Sequence, residues 1–503
     1  MPDLTFNIRI AAGGRTLADI DRFAIRENTV TFLFGESGIG KSLISRALFG
    51  LLVPEEYTIT VNGESYERYL GGPWPTAFQK NGFFVFQEPS THLNPLLTIG
   101  DQLREGSLAN APDESPILRQ LWDGTEDNVL RGLLEVFPKP YRPSGGEKQR
   151  MLLAMAFKKL DMLLAGTPPE RAPLYVFDEP TGSLDNHFRD LFLSMLFARF
   201  RKRPFTVLLV SHDYSMISHV QKAYADLRDG ISYKELVSRG GALALQDFLP
   251  ETYLGWLDKQ HPAAGVQGTA AGALPIVTVE SRVEVFGRTL FITRDRHGKE
   301  EAPMQIHRGS MVYLKAPSGT GKTTIVKLMT GLASGSRFRM KLGDAVITEK
   351  SSREVWRKWI WGKRMTMVFQ HADEALNPHS TVEETFHGLP SRKKQTREDI
   401  IRSLRELFDP EDVTEEFLKK EVRLLSGGQK QRLNLLRGLF LDTDVLIVDE
   451  PLNGLDFVST TKVIAMLHQK QHAGKGILLI SHNEEIFDRQ VAEENVYYLK
   501  VGS

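Results

Sequence analysis

Apolar positions along the chain fall into two alternating patterns. Short, largely apolar runs at residues 29–34, 174–177, 207–210, 311–314, 445–448 and 477–480 predict strands buried on both faces, as in a parallel sheet covered by helices. After two of these runs the spacing turns helical. Leu43, Ile44, Ala47, Leu48, Leu51 and Leu52 form one stripe, and Ile325, Val326, Met329 and Leu332 form another. A glycine-rich loop separates run from stripe in both places. Strand, loop and helix in alternation place the chain in the α/β class, with a mainly parallel sheet flanked by helices.

The pattern occurs twice. Gly35–Ser42 reads GESGIGKS and 316–323 reads APSGTGKT. Phe86-Gln87 recurs as Phe369-Gln370, each followed by a Leu-Asn-Pro. Ser144-Gly145-Gly146 recurs as Ser426-Gly427-Gly428, Asp178-Glu179-Pro180 as Asp449-Glu450-Pro451, and Ser211-His212 as Ser481-His482. The offset is 281–283 residues through the serine-glycine motif and 270–271 after it. The drop of about eleven predicts an extra loop in the first half, at 160–173, where Gly166, Pro168, Pro169 and Pro173 cluster. Residues 258–275, rich in Ala, Gly and Pro, read as a flexible linker. We therefore expect a first domain over 1–257 and a second over 276–503.

Composition narrows the function. Lys+Arg and Asp+Glu both number 63, so the balance gives no support to a nucleic-acid binder acting through its whole surface. There are no cysteines, which excludes disulfides, cysteine-ligated zinc, iron–sulfur clusters and thiol catalysis. No run of 18 apolar residues predicts a membrane span, and the N-terminus lacks a signal-peptide layout.

The glycine loops have the spacing of phosphate cradles, in which successive backbone N–H groups and a helix N-terminus bind phosphate oxygens. The candidate binding residues are Gly35, Ser37, Gly38, Gly40, Lys41 and Ser42 in the first half. In the second they are Ser318, Gly319, Gly321, Lys322 and Thr323, with Ala316 opening the loop. The lysines reach toward β/γ-phosphates, and the Ser42 and Thr323 hydroxyls suit Mg²⁺. Asp178 and Asp449 end apolar strands, where ligands bind in open α/β sheets, and are candidate Mg²⁺ partners; Glu179 and Glu450 are candidates to polarise an attacking water. His212 and His482 follow strands and are candidates to contact a γ-phosphate. Gln87 and Gln370 are candidate ligands of Mg²⁺ or water.

This ordered set resembles the ATP-binding cassette (ABC) ATPases, twice over and across nearly the whole chain. It comprises the phosphate loop, the glutamine loop, the signatures Pro143-Ser144-Gly145-Gly146-Glu147 and Leu425-Ser426-Gly427-Gly428-Gln429, the Asp-Glu pairs and the switch histidines. Ser183-Leu184-Asp185 and Gly454-Leu455-Asp456 look like the family's D-loops. The resemblance implies two cassettes, each with a core sheet, an antiparallel β subdomain and a helical signature subdomain, that use ATP and Mg²⁺. It also implies that the cassettes pack head to tail within one chain. Lys41, Asp178 and Glu179 then share a site with Ser426, Gly427 and Gly428, and Lys322, Asp449 and Glu450 share one with Ser144, Gly145 and Gly146. The glutamine-loop segments VFQEPSTHLNPLLTIGDQL and VFQHADEALNPHSTVEETF look like those of peptide/nickel importer ATPases. That branch implies peripheral attachment to the cytoplasmic face of a membrane, permease partners and a substrate-binding protein, with no nucleic acid. The alternative is a soluble twin-cassette ATPase that remodels a protein or nucleoprotein complex.

Four further features carry expectations. Phe286 is a candidate to stack on adenine in the second half, and no aromatic lies between Phe6 and Phe23 in the first. Trp356, Trp359 and Trp361 predict a packed amphipathic segment. The basic runs 199–203 and 392–394 predict solvated surface. Pro143 and Glu147 in one signature, with Ala316 in one loop, predict that the Lys322 site is the weaker hydrolytic site.

Overall fold

The structure is a computed structural model that describes residues 3–13, 15–105, 113–122, 125–138, 143–167, 169–181, 186–239, 242–260, 274–317, 319–390 and 396–502. The chain divides into two compact units, Met1–Tyr253 and Leu254–Ser503. Most of the expected linker (261–273), the run 392–394 and the first D-loop (183–185) lie outside the described residues.

In the first unit a six-stranded core sheet runs in the order Ala242–Asp247, Ile231–Arg239, Val30–Gly35, Thr206–Val210, Leu174–Asp178, Phe83–Val85. All neighbours are parallel except the outer hairpin strand Ala242–Asp247. The central strands Val30–Gly35, Leu174–Asp178 and Thr206–Val210 are buried at every residue, as continuous apolar runs require when helices cover both faces. An antiparallel sheet of Arg15–Arg26, Asp3–Ala12, Thr58–Val61 and Glu64–Ser65 alternates inward apolar and outward polar residues. Its Ile8, Ile10, Phe23 and Ile25 share one core with Leu33, Val176 and Leu208 of the parallel layer and Leu48 of the helix Lys41–Phe49.

The second unit repeats this plan with a seven-stranded core sheet: Arg282–Val285, Arg288–Thr293, Val496–Val501, Met311–Lys315, Gly476–Ile480, Val445–Asp449, Met365–Val368. Its antiparallel sheet holds Met304–Ile306, Val277–Val279, Arg339–Leu342 and Ala345–Thr348. The edge of the core sheet is built differently in the two units. In the first, Ile231–Arg239 is covered by the hairpin strand that follows it. In the second, Val496–Val501 is covered by Arg288–Thr293, from before the glycine loop.

Three sequence expectations need correction. The eleven extra residues of the first half are mostly helix: the helix after its signature spans Gly145–Ala165, 21 residues against 14 in Gly427–Phe440. Only the remaining four lengthen the loop, 166–173 against 441–444. The apolar stripes outlast their helices. Gly50 and Gly331, at φ 83° and 68°, turn the chain out at the ends of Lys41–Phe49 and Lys322–Met329, so Leu51, Leu52 and Leu332 follow the helices. The basic run 199–203 is tied down rather than simply solvated. Arg199 is buried, pairs with Asp161 through two bonds of 2.8 Å and lies over the Phe157 ring, while Arg201 pairs with Asp226 at 2.8 Å. The tryptophans divide. Trp356 is buried over Gly331, Trp361 donates its indole N–H to the Thr330 carbonyl at 2.7 Å, and Trp359 is 70% exposed.

Candidate functional site

In each unit the functional motifs gather at the carboxyl ends of the parallel strands. That is the crevice in which open α/β sheets bind ligands. Val30–Gly35 and Met311–Lys315 deliver the glycine loops. Leu174–Asp178 and Val445–Asp449 deliver the Asp-Glu pairs, and Thr206–Val210 and Gly476–Ile480 deliver the histidines. Gln87 and Gln370 follow the outer parallel strands Phe83–Val85 and Met365–Val368.

The two glycine loops share a backbone shape. Gly38 and Gly319 sit at φ 78° and 76°, and Gly40 and Gly321 at 114° and 107°, immediately before the helices. Such left-handed turns aim successive N–H groups into one concavity. The opening residue differs for a local reason. Gly35 is the last residue of its strand and pairs with Leu236, whose carbonyl oxygen would lie 2.6 Å from a β-carbon at position 35. Its φ of 145° also excludes most side chains. In the second unit the strand ends one position earlier, at Lys315, so Ala316 is accommodated. Lys41 Nζ donates to the carbonyls of Gly35 and Glu36 at 2.7 and 2.9 Å; Lys322 Nζ donates to those of Ala316 and of Pro317, the latter at 3.2 Å. Ser318 lies outside the described residues.

The carboxylates are where the two units diverge. Both glutamates adopt left-handed backbone, φ 49° at Glu179 and 50° at Glu450. A bulky residue held there costs about 1–3 kcal/mol, and such strain clusters at functional sites. Glu179 faces the His212 Nδ1 at 2.8 Å and Lys41 Nζ at 3.7 Å. Burial pushes its carboxyl up, but these cations outweigh burial and hold it below the ordinary value; the same contact raises His212 against its own burial. Glu450 instead accepts from the Ser481 hydroxyl and the His482 N–H, each at 3.0 Å, and His482 Nε2 stands 3.3 Å away. Here burial dominates and pushes the carboxyl up to about 7. Burial likewise raises Asp178, to about 6, and Asp449.

The donor set fits a hard cation. Ser42 Oγ donates to Asp178 Oδ1 at 3.0 Å, while Asp178 Oδ2 is buried with no hydrogen-bond partner among the described residues, and Asp449 lies buried beside the Thr323 hydroxyl. Buried acceptors of this kind call for a cation or water.

The signature serines cap helices. Glu147 N–H donates to Ser144 Oγ at 3.3 Å and Ser144 N–H to the Glu147 carboxylate at 2.6 Å. Gln429 and Ser426 repeat the pair, each at 3.1 Å. Gly145, Gly146, Gly427 and Gly428 form the helix starts that follow. Phe286 stands 83% exposed at a hairpin turn, with φ 50°.

Sequence reasoning missed one cluster in the first unit. Arg189 reaches Asp213, the residue after His212, and Ser215. Its only signal was that Ser211-His212 is followed by Asp213, whereas Ser481-His482 is followed by Asn483.

A phosphate-cradling loop, a strand-end Asp-Glu pair and a histidine on the adjacent strand, repeated in two units, define a twin phosphate-loop ATPase. The ABC transporter family profile matches residues 19–182 and 300–453, and the chain belongs to that family. ABC ATPases use ATP with Mg²⁺. Along 95% of this chain and 81% of their own length, two similar proteins are the glutathione import ATP-binding proteins GsiA of Escherichia coli K12, 23% identical, and Pectobacterium atrosepticum, 25% identical. Among solved structures, an archaeal ribosome recycling factor aABCE1, in complex with the ribosomal stalk protein aP1, matches 98% of this chain and 89% of its own at 18% identity, TM-score 0.63. RNase-L inhibitor matches with the same coverage and identity at 0.62. At that identity the likeness shows the twin-cassette fold alone. Among the described residues no helix is long and apolar enough to cross a membrane.

Proposed function

We propose that this chain is the energising subunit of a membrane importer of the peptide/nickel type. Its two cassettes bind ATP and hydrolyse it to drive conformational change in integral-membrane permease subunits fed by a substrate-binding protein. The observation that carries this reading is the match of both cassettes, along 95% of the chain, to proteins named as import ATP-binding subunits. The Leu-Asn-Pro segments after Gln87 and Gln370 point the same way.

The site residues take the following parts. The loops from Gly35, Ser37, Gly38 and Gly40 and from Ser318, Gly319 and Gly321 cradle the phosphates, and Lys41 and Lys322 neutralise them. Ser42 and Asp178, with Gln87, hold Mg²⁺ in the first cassette, and Thr323 and Asp449, with Gln370, in the second; bound there, the ion neutralises phosphate charge. Glu179 and Glu450 orient the water, and His212 and His482 meet the γ-phosphate. Ser144, Gly145 and Gly146 and Ser426, Gly427 and Gly428 clamp nucleotide held by the opposite cassette, and Phe286 stacks on adenine in the second. The protein then resides peripherally on the cytoplasmic face of the inner or plasma membrane, reached through its partners.

Fractionation of the native host tests the reading. We expect the protein in the membrane fraction, released by alkaline wash, with integral proteins crosslinked to it. Recovery in the cytosol alone, with no integral partner, replaces the importer with a soluble remodelling ATPase.

A further inference from the structure

The buried polar groups around His212 contain a set that the hydrolytic reading does not use. Arg189 lies one turn into the helix Asn186–Lys202, which leaves the Asp178 strand. Its Nη1 contacts Asp213 Oδ2 at 3.3 Å and donates to the Ser215 hydroxyl, and its Nε donates to Asp190 Oδ1 at 3.0 Å. Asp213 Oδ1 accepts from Ser215 N–H and Oγ at 3.0 and 2.5 Å, and Asp213 N–H donates to Ser211 Oγ at 3.0 Å. The Asp190 carboxylate also stands 3.4 Å from His219 Nδ1.

The segments leaving two adjacent parallel strands, in register at Asp178 and Val210, are therefore tied together twice. One tie is Glu179 to His212 at 2.8 Å, and the other is Arg189 to Asp213. Between them they close a ring in which His212 is flanked by Glu179 and by its chain neighbour Asp213. The second cassette has Thr460 and Asn483 at the matching positions, so it cannot form the outer ion pair. There the imidazole is 3.3 Å from its glutamate and approaches through Nε2 rather than Nδ1.

We propose that Arg189 and Asp213 are positioning residues for His212: their ion pair fastens the histidine loop to the helix that follows Glu179, so the imidazole is set against the glutamate in the first cassette by a device the second lacks. The inference rests on the hydrolytic role assigned above to His212. A local turn alone is the competing account of Asp213, because its carboxylate accepts from the N–H two residues on, at the start of Ser215–Ala223. Asn makes such a turn about as well as Asp. Asp213→Asn therefore removes the ion pair while preserving the turn, and it recreates the second cassette's own residue.

The experiment measures MgATP turnover, KM and melting temperature for the full chain. The variants are Asp213→Asn, Arg189→Lys, Arg189→Met and His212→Ala, with the Asp213→Asn/His212→Ala double. We expect Asp213→Asn and Arg189→Met to lower kcat about five- to twentyfold, as loss of a charge-assisted bond acting on the reaction. KM should stay within about twofold, a scale set by unchanged ground-state binding. Arg189→Lys should recover most of the loss, and the double variant should be no slower than His212→Ala. Wild-type kcat in Asp213→Asn while His212→Ala is impaired overturns the positioning role. So does additivity in the double, which means the pair acts elsewhere. Wild-type kcat in His212→Ala rejects the histidine assignment and the inference with it. A kcat loss matched by a lower melting temperature in Asp213→Asn assigns the pair to structure alone.

Discussion

Glu179 and Glu450 each follow the aspartate that ends the matching strand and share a backbone angle near 50°, yet they sit in different electrostatic surroundings. The first is flanked by an imidazole at 2.8 Å and an ammonium at 3.7 Å, and is held as a carboxylate. The second is held by a hydroxyl and a backbone N–H, and its burial favours the proton. Motif identity thus fixes which atoms are present but not the charge they carry. That depends on ring orientation and on the cations that folding brings beside each carboxylate, His212 and Lys41 in the first case.

The widest test of this pairing removes both carboxylates. Glu179→Gln with Glu450→Gln should lower turnover by about a hundredfold or more while nucleotide still binds. Undiminished hydrolysis would show that neither glutamate orients water.

The next effect separates the two glutamates in nucleotide- and metal-free protein. Because burial raises the Glu450 carboxyl, ionising it in the fold costs stability. The sign follows from linkage. Below the unfolded value both states are protonated and there is no penalty; the penalty grows as pH rises and is complete above about 7. Glu450→Gln should therefore melt higher than wild type at pH 8, by at least about 2 °C, the shift that roughly 1 kcal/mol gives in a unit of this size, and the gain should vanish near pH 4.5. Glu179 has the opposite sign, since its folded value is lowered. Its ion pairs stabilise above the unfolded value and are lost on acidification, so Glu179→Gln should lower the melting temperature at pH 8. Equal shifts in the two variants would erase the contrast.

Gly35 and Ala316 make a smaller, purely steric comparison. Gly35→Ala forces a β-carbon to 2.6 Å from the Leu236 carbonyl at φ 145° and should cost about 2 kcal/mol, seen as a lower denaturation midpoint. Ala316→Gly should change stability by less than about 1 kcal/mol. A tolerated Gly35→Ala would mean that strand end relaxes.

The smallest expected difference is catalytic. Under saturating ATP, Glu179→Gln should lose severalfold more turnover than Glu450→Gln, about 1 kcal/mol in barrier. Equal losses, or a larger loss in Glu450→Gln, would reject the inequality. Single-turnover occupancy of each site separates true equality from strong cooperativity.

The sequence by itself determined the repeat, the α/β class and the residues that line each strand end. Fixed-spacing glycines, continuous apolar runs and strand-end acids each have few structural solutions. It did not determine that seven of the eleven additional residues extend a helix, because Gly166 and the nearby prolines signal a stop without saying how far the helix runs before it. Nor did it show Arg199 buried against Asp161, since a partner 38 positions away leaves no local trace. Only the tertiary structure decided the charge of the two glutamates. Protonation responds to burial and to the summed field of neighbours brought together by folding, and identical Asp-Glu-Pro motifs cannot encode what will surround them.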